Sequence, residues 1–440
     1  MNKLKGIALT LATTVFMACG PVQKQSNFNS SSMRTTETEN LLANLKKVSS
    51  KGIMFGHHDD TNYGIGWDGE EGRSDVKSVC GDYPAVISFD LGHIELGDTV
   101  SLDNVPFSKI RQEILNQYKR GGMSSLSWHL RNPLTGGDSW DVSDTTVVKS
   151  VLPGGSNHEK FTGWVSKVSA FINSLQTEDG VKVPVLFRPW HEHTGSWFWW
   201  GEKLCTPEEY KVLWQMTVDI LREDGVNNAL YAYSPGSEPQ DTVQYLKRYP
   251  GDDLVDVIGF DTYQFDRDSY IANLEKSLAI IDSIGKVHNK IIAITETGYE
   301  GIPDSKWWTG TLLPAIEKYP IAYVLVWRNA RERVTHFYAP YPGQISADDF
   351  VEFYNSHLGT SCDGSGIGLK FADEYGDLTL CNAIVKTENG VISCTIDIRV
   401  PVTLNETDIR KMCQDRLEDK NGRIEITKVV APLFFPRESP

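Results

Sequence analysis

The stretch Val183-Pro184-Val185-Leu186-Phe187-Arg188-Pro189-Trp190-His191-Glu192 carries the pattern on which the fold turns. Val183–Phe187 is a short apolar, β-branched run, as expected of a strand covered on both faces. A polar cluster follows at once, then an aromatic loop, Gly195-Ser196-Trp197-Phe198-Trp199-Trp200-Gly201. Thr206 with Pro207 and Glu208 reads as an N-cap with proline in the first turn, opening an amphipathic segment over Pro207–Leu221. Strand, polar loop and helix together make one β-then-α unit.

The unit repeats along the chain. Similar apolar runs stand at Ile53–Phe55, Ala85–Phe89, Ser124–Trp128, Ala229–Tyr233, Val255–Phe260, Ile291–Thr295 and Ile321–Trp327. Helical periodicity fills Phe107–Tyr118, Lys160–Leu175, Tyr270–Ile284 and Lys306–Lys318. Eight such units predict an α/β fold of the (β/α)8 TIM-barrel type. A doubly wound open sheet is the alternative, but no glycine-rich phosphate loop supports it.

In a (β/α)8 barrel, active sites form at the C-terminal ends of the strands. The residues just past the eight runs are His57 and His58, Asp90, His129, His191 with Glu192, Ser234, Asp261 with Tyr263, Glu296, and Trp327 with Arg328. Two carboxylates stand out, Glu192 and Glu296. A charge directly after an apolar strand is costly unless paired. Arg188 and Arg328 could supply purely structural partners. Two carboxylates among tryptophans, however, are what glycoside hydrolysis needs: one protonated, one ionised. Four consecutive aromatics at Trp197–Trp200 cannot all face one core, so at least one is expected to wall a site. The His191-Glu192-His193 run lacks the His-Glu-x-x-His spacing of a helical zinc site, and His57 and His58 would point to opposite faces of a strand. Neither a catalytic metal nor a cofactor is therefore expected. His93, His158, His288 and His336 read as surface or hydrogen-bonded structural residues.

Charge and composition narrow the substrate. Across 440 residues, 43 Lys and Arg stand against 58 Asp and Glu, a net charge of −15. Such a chain repels phosphate backbones, which argues against nucleic acid and suits a neutral polysaccharide. All 12 tryptophans lie between Trp67 and Trp327, whereas Cys362, Cys381, Cys394 and Cys413 crowd the C-terminal end. The first residues look processed: Lys3 and Lys5 precede a short apolar run, Ile7–Ala18, ending in Phe16-Met17-Ala18-Cys19. This reads as a signal of residues 1–19 with a loose lipobox and Cys19 as the lipidated residue, followed by a flexible Ser/Thr/Asn-rich tether over 20–39. The expected product is an exported monomer, held at a membrane only by its lipid anchor.

Residues 40–355 resemble glycoside hydrolase family 26, the β-mannanases of the large clan of retaining (β/α)8 glycosidases. The signature is Arg188-Pro189-Trp190-His191-Glu192 followed by Gly195 and Trp197-Phe198-Trp199-Trp200-Gly201. The resemblance implies Glu192 as general acid/base and Glu296, in Thr295-Glu296-Thr297-Gly298, as nucleophile. It implies that His191 orients one of them and that Tyr263, of Asp261-Thr262-Tyr263, hydrogen-bonds the nucleophile. Trp327 would floor the −1 sugar site, with His129 and Trp197 completing it and His58 and Arg328 as further substrate contacts. Mannan, galactomannan or mannooligosaccharides would be the substrates. An exo-acting mannobiose-releasing enzyme, a β-glucanase or a β-1,3-xylanase of the same family are alternatives. A non-catalytic glycan-binding lipoprotein is an alternative of another class.

Beyond residue 355 the character changes. Residues 356–440 have period-two stretches over Val391–Val402, one expected helix over Glu406–Leu417, and no tryptophan. Gly366-Ile367-Gly368-Leu369-Lys370, Ile396-Asp397-Ile398-Arg399-Val400-Pro401 and Pro432-Leu433-Phe434-Phe435-Pro436 resemble part of the lid domain of PepV-like dinuclear-zinc dipeptidases. The zinc-ligand domain has no counterpart here. The expectation is a small, non-catalytic α+β extension, either a passenger fragment fused to the barrel or a module of its own.

Overall fold

A computed structural model describes residues 34–357, the segments 372–373, 376–377, 379–388 and 391–399, and residues 407, 410 and 411. The expected signal, Cys19 and most of the expected tether lie outside the described residues.

Eight strands close a parallel barrel: β1 (Met54–His58), β2 (Val86–Asp90), β3 (Met123–Ser127), β4 (Val185–Arg188), β5 (Ala229–Tyr233), β6 (Val257–Tyr263), β7 (Ile291–Gly298) and β8 (Tyr323–Val326). Because β1 pairs with both β2 and β8, the sheet has no edge, and the open doubly wound alternative is excluded. β6 and β7 run three residues further than their apolar runs. Asp261, Tyr263 and Glu296 therefore stand on strands, where backbone pairing fixes their direction.

Alternation of side chains gives the barrel two cores. Val86, Met123, Leu186, Leu230, Val257, Ile291 and Tyr323 fill the lumen near the strand N-termini. Their neighbours Ile87, Leu126, Phe187, Tyr231, Ile258, Ile292 and Val324 face outward and meet the helices. Continuing the inward set to the strand C-termini brings His58, Asp90, Arg188, Asp261 and Tyr263 to one mouth.

The expected helices form at Phe107–Lys119, His158–Asn173, Pro207–Glu223 and Arg267–His288. The third opens on a full capping box: Thr206 Oγ1 accepts from Glu209 N, and the Glu209 carboxylate accepts from Thr206 N. The segment expected as a helix over Lys306–Lys318 begins instead as a π-turn, Trp308–Leu312, before a short α-helix, Leu313–Ile316. Pro314 accounts for the difference, since it has no N–H to return to the carbonyl of Gly310.

The tether boundary needs correction. A helix over Thr36–Val48 begins inside the stretch expected to be flexible. Its Thr35 side chain caps Thr38 N, with Glu37 and Glu39 in the first turn and Lys46 and Lys47 in the last, all favourable to the helix dipole. Leu45 packs into the lumen cluster, and Arg34 grips Asp256 with contacts of 2.7 and 2.9 Å. At the other end, Ala347–His357 is helical, close to the expected limit of the barrel. In the tail, Thr379–Glu388 and Val391–Arg399 form an antiparallel hairpin, in keeping with the period-two pattern, and Thr407, Arg410 and Lys411 are helical. Among the described residues, no helix is long and apolar enough to cross a membrane.

Candidate active site

The centre of the barrel mouth is a guanidinium shared by two carboxylates. Arg188, the last residue of β4, donates from Nη1 to Asp261 Oδ2 at 2.6 Å and to Ser234 Oγ at 3.2 Å, and from Nη2 to Glu296 Oε2. Tyr263 OH donates to the other oxygen of Glu296. All three charged groups are buried. One cation serves two anions, so a negative charge remains uncompensated. Burial, opposed by Arg188 and reinforced by Glu296, pushes Asp261 up to about 7.

A β-bulge aims Glu296 into this network. The β6–β7 register shifts between Phe260 and Asp261, so that Phe260 pairs with Ile294 but Asp261 with Glu296. The extra residue, Thr295, turns its hydroxyl to Phe260 O and Asp261 Oδ1, at 3.0 and 2.7 Å. Without the bulge the pleat would place Glu296 on the helix side. Gly259 makes room: a Cβ there would lie 2.6 Å from Thr295 Cγ2.

Glu192 reaches the mouth from a strained turn. Trp190 and Glu192 both have left-handed backbones, with φ of 54° and 52°. Such conformations cost about 1–3 kcal/mol each in residues other than glycine. The surroundings hold them: Tyr210 OH donates to Trp190 O at 2.9 Å, Trp200 Nε1 to His191 O at 2.8 Å, and Glu192 N to Ser234 O at 2.8 Å. Trp197 Nε1 donates to Glu192 Oε2 at 2.6 Å. Its indole folds back over Gly195, where any Cβ would collide with the ring. Burial first, then the charges of Glu296 and Asp261, push Glu192 well above the usual carboxylate range.

Aromatic rings line the rest. Trp327 is stacked on His58 at 4.0 Å between ring centroids and meets His129 edge-on at 6.0 Å. His129 Nε2 lies 3.1 Å from His191 Nε2, and its Nδ1 lies 2.7 Å from Asp90 Oδ2. Of the four consecutive aromatics, Phe198, Trp199 and Trp200 are core and only Trp197 is exposed, as the crowding argument expected. Arg328 sits 3.4 Å from Asp103 and donates to Glu332.

His191 and His193 do not converge as metal ligands: His193 is buried between the rings of Tyr210 and Tyr233, at 4.4 and 4.8 Å. Among the described residues, one group has ligand atoms close enough to hold a cation, namely His58, Asp59 and Asp103. The Arg328 guanidinium already serves Asp103 there.

The residues singled out past the strands stand around the mouth except His57, which alternates to the other face of β1 and is bonded to Asp60 at 2.7 Å, and two others join them. Trp140 lies half-exposed with its ring parallel to His129 at 5.4 Å. Its signal in the sequence was faint: a tryptophan in a glycine-rich loop, Gly136-Gly137-Asp138-Ser139-Trp140, outside any apolar period. Asp103, in the loop that precedes the Phe107–Lys119 helix, carries no sequence signal of its own.

A (β/α)8 barrel with two carboxylates at its mouth and an aromatic rim defines a carbohydrate-processing class of protein. The chain belongs to glycosyl hydrolase family 26, whose pattern matches residues 30–334. The solved structure of a GH26 β-mannanase from Bacteroides ovatus, BoMan26A, is 66% identical with a TM-score of 0.73, over 73% of this chain and 94% of that one. A modular endo-β-1,4-mannanase from Cellulomonas fimi is 33% identical with a TM-score of 0.69, over 80% and 82%. A mannan endo-1,4-β-mannosidase of Bifidobacterium adolescentis is 33% identical over 73% of this chain, which spans about a third (34%) of that longer relative.

Proposed function

We propose that this chain is a retaining endo-1,4-β-mannosidase acting on mannan-type polysaccharides, with Glu296 as nucleophile and Glu192 as general acid/base. The observation that carries this reading is the contrast between the two carboxylates. Glu296 accepts from the Arg188 guanidinium and from Tyr263 OH. Glu192 has one donor, Trp197, and is pushed toward its protonated form. Glu296 attacks the anomeric carbon as Glu192 protonates the departing glycosidic oxygen. A covalent mannosyl–enzyme results, and Glu192 then takes a proton from the water that releases it. Trp327 and Trp197 offer ring faces to the sugar. The named activities of the relatives favour mannan and internal cleavage.

Glu296→Ala is expected to abolish sugar release from mannan. Glu192→Ala is expected to lose most activity yet keep some on aryl mannosides, whose leaving groups need no proton. NMR of the first product should show retained anomeric configuration. Wild-type rates in both variants, or inversion, would sink the assignment. Cys19 following an apolar stretch supports an exported lipoprotein; Cys19→Ala should abolish incorporation of labelled palmitate.

A further inference from the structure

The hydrogen-bonded chain at the ends of β2 and β3 has no part in the chemistry above. Asp90 is buried, and each of its oxygens has two donors. Oδ1 accepts from Gly92 N at 2.7 Å and His129 N at 3.1 Å; Oδ2 accepts from Ser127 Oγ at 2.6 Å and His129 Nδ1 at 2.7 Å. Burial alone would raise its pKa, but His129 and these donors outweigh it and hold the carboxyl low. An ionised Asp90 requires the proton of His129 on Nδ1. His129 Nε2 then faces His191 Nε2 at 3.1 Å, and one proton must lie between them.

The surroundings say on which ring. Facing His129 are Asp90, Glu296 and Asp103, which favour its cation, and Arg188, His191 and His58, which oppose it. The balance raises His129 against burial, whereas burial, Arg188 and His129 itself hold His191 well below the ordinary value. Trp140 lies parallel over the His129 ring, an arrangement that suits a cation.

We propose that Asp90 is a positioning residue that keeps His129 as an imidazolium, which pins the neutral His191 through its Nε2 lone pair and sets a second fixed cation, after Arg188, at the proposed nucleophile's side of the site. His191 directly precedes Glu192 in the left-handed turn, so the chain runs from Asp90 through two imidazoles to the backbone that aims the acid/base. The inference rests on the reading of Glu192 and Glu296 given above.

Asp90→Asn tests it. The asparagine oxygen is held by the two backbone N–H groups at the Oδ1 position, so its NH2 faces His129 Nδ1 as a donor. His129 must then be neutral, with its proton on Nε2. In protein labelled with 15N-histidine, the wild-type His129 ring should show imidazolium shifts at pH 7, and the variant neutral shifts. On mannooligosaccharides kcat should fall about tenfold or more, with KM within about threefold, as when a fixed histidine loses its carboxylate. Ser127→Ala removes one donor from the Asp90 carboxylate, so the anion beside His129 is less compensated; the variant should raise the His129 titration midpoint by a smaller step and serves if Asp90→Asn fails to fold. A neutral wild-type His129 between pH 5 and 8, a midpoint unmoved in Ser127→Ala, or wild-type kcat in folded Asp90→Asn overturns the proposal. The NMR readout needs no catalysis, so an inactive wild type would refute the enzymatic reading while leaving the charge assignment to be judged by itself.

Discussion

Trp197 donates its indole N–H to Glu192 Oε2 at 2.6 Å. This contact stabilises the ionised form of Glu192, against burial and against the charges of Glu296 and Asp261. Trp197→Phe keeps a ring in place but removes the donor. The ionised form loses its partner, so Glu192 should hold its proton to higher pH. The alkaline limb of the kcat–pH profile is expected to move up by a few tenths of a unit to about one unit. A shift to lower pH would show that the indole serves the protonated form.

Arg188 is the single cation between Asp261 and Glu296. Its removal as Arg188→Met strands two buried carboxylates, and breaking a buried pair from one side costs about 3–5 kcal/mol. Adding Asp261→Asn removes one of those charges and should recover part of the loss, although Asp261→Asn alone is destabilising. Urea denaturation of the four proteins measures the coupling. Additive losses would mean that Arg188 does not mediate between the two acids.

Trp140 leaves half its surface to solvent while its ring lies along His129. An exposed indole at the rim adds little to the fold and much to a sugar laid on it. Stacking of this kind contributes about 0.5–1.5 kcal/mol beyond area, so Trp140→Ala should raise KM for mannooligosaccharides about three- to tenfold, with the melting temperature nearly unchanged. A large fall in melting temperature would make Trp140 a structural residue.

The Ala347–His357 helix brings Phe350 and Phe353 against Phe55, with ring centroids 4.8 and 6.4 Å away, and both are fully buried. A chain truncated after Leu358 should therefore keep full activity, as expected of a passenger tail. Truncation after Ser346 strips two aromatics from the core and should cost several kcal/mol by the usual scale of about 3–5 for one phenylalanine. Loss of activity on truncation after Leu358 would give the tail a role in the enzyme.

The eight strands were legible because both faces are covered, which leaves unbroken apolar runs such as Val185–Phe187 and Ile291–Ile294. The first helix was not, because Thr35 and Thr36 serve as helix start and as loop composition alike, and what decides is Arg34 reaching Asp256, 222 positions away. Glu192 and Glu296 could be placed at strand ends, but the bulge at Thr295 that turns Glu296 inward depends on β6 and has no local signature. Asp59 shows the same limit. It adopts φ of 55°, is bonded to Asn62 and Tyr63, and meets Asp103 only because two loops converge.

His193 ties stability to pH. It is buried between Tyr210 and Tyr233, and neither ring nitrogen has a hydrogen-bond partner among the described residues. Burial, with the nearby Arg248 charge, holds its folded-state pKa well below 6.5. Above 6.5 both folded and unfolded chains carry it neutral, and the fold is undisturbed. As the pH falls below that value the unfolded chain takes up a proton that the folded chain refuses, so stability declines by up to about 1.4 kcal/mol per pH unit for this one residue. His58 and His191 are lowered in the same direction and steepen the fall. His193→Phe keeps an aromatic ring between the two tyrosines and removes one titrating group. Its urea-denaturation free energy should therefore drop less steeply between pH 7 and 5.5 than that of the wild type, by a difference that grows toward about 1.4 kcal/mol per unit at the acid end. Parallel curves would mean that His193 takes up its proton in the fold as readily as in the unfolded chain.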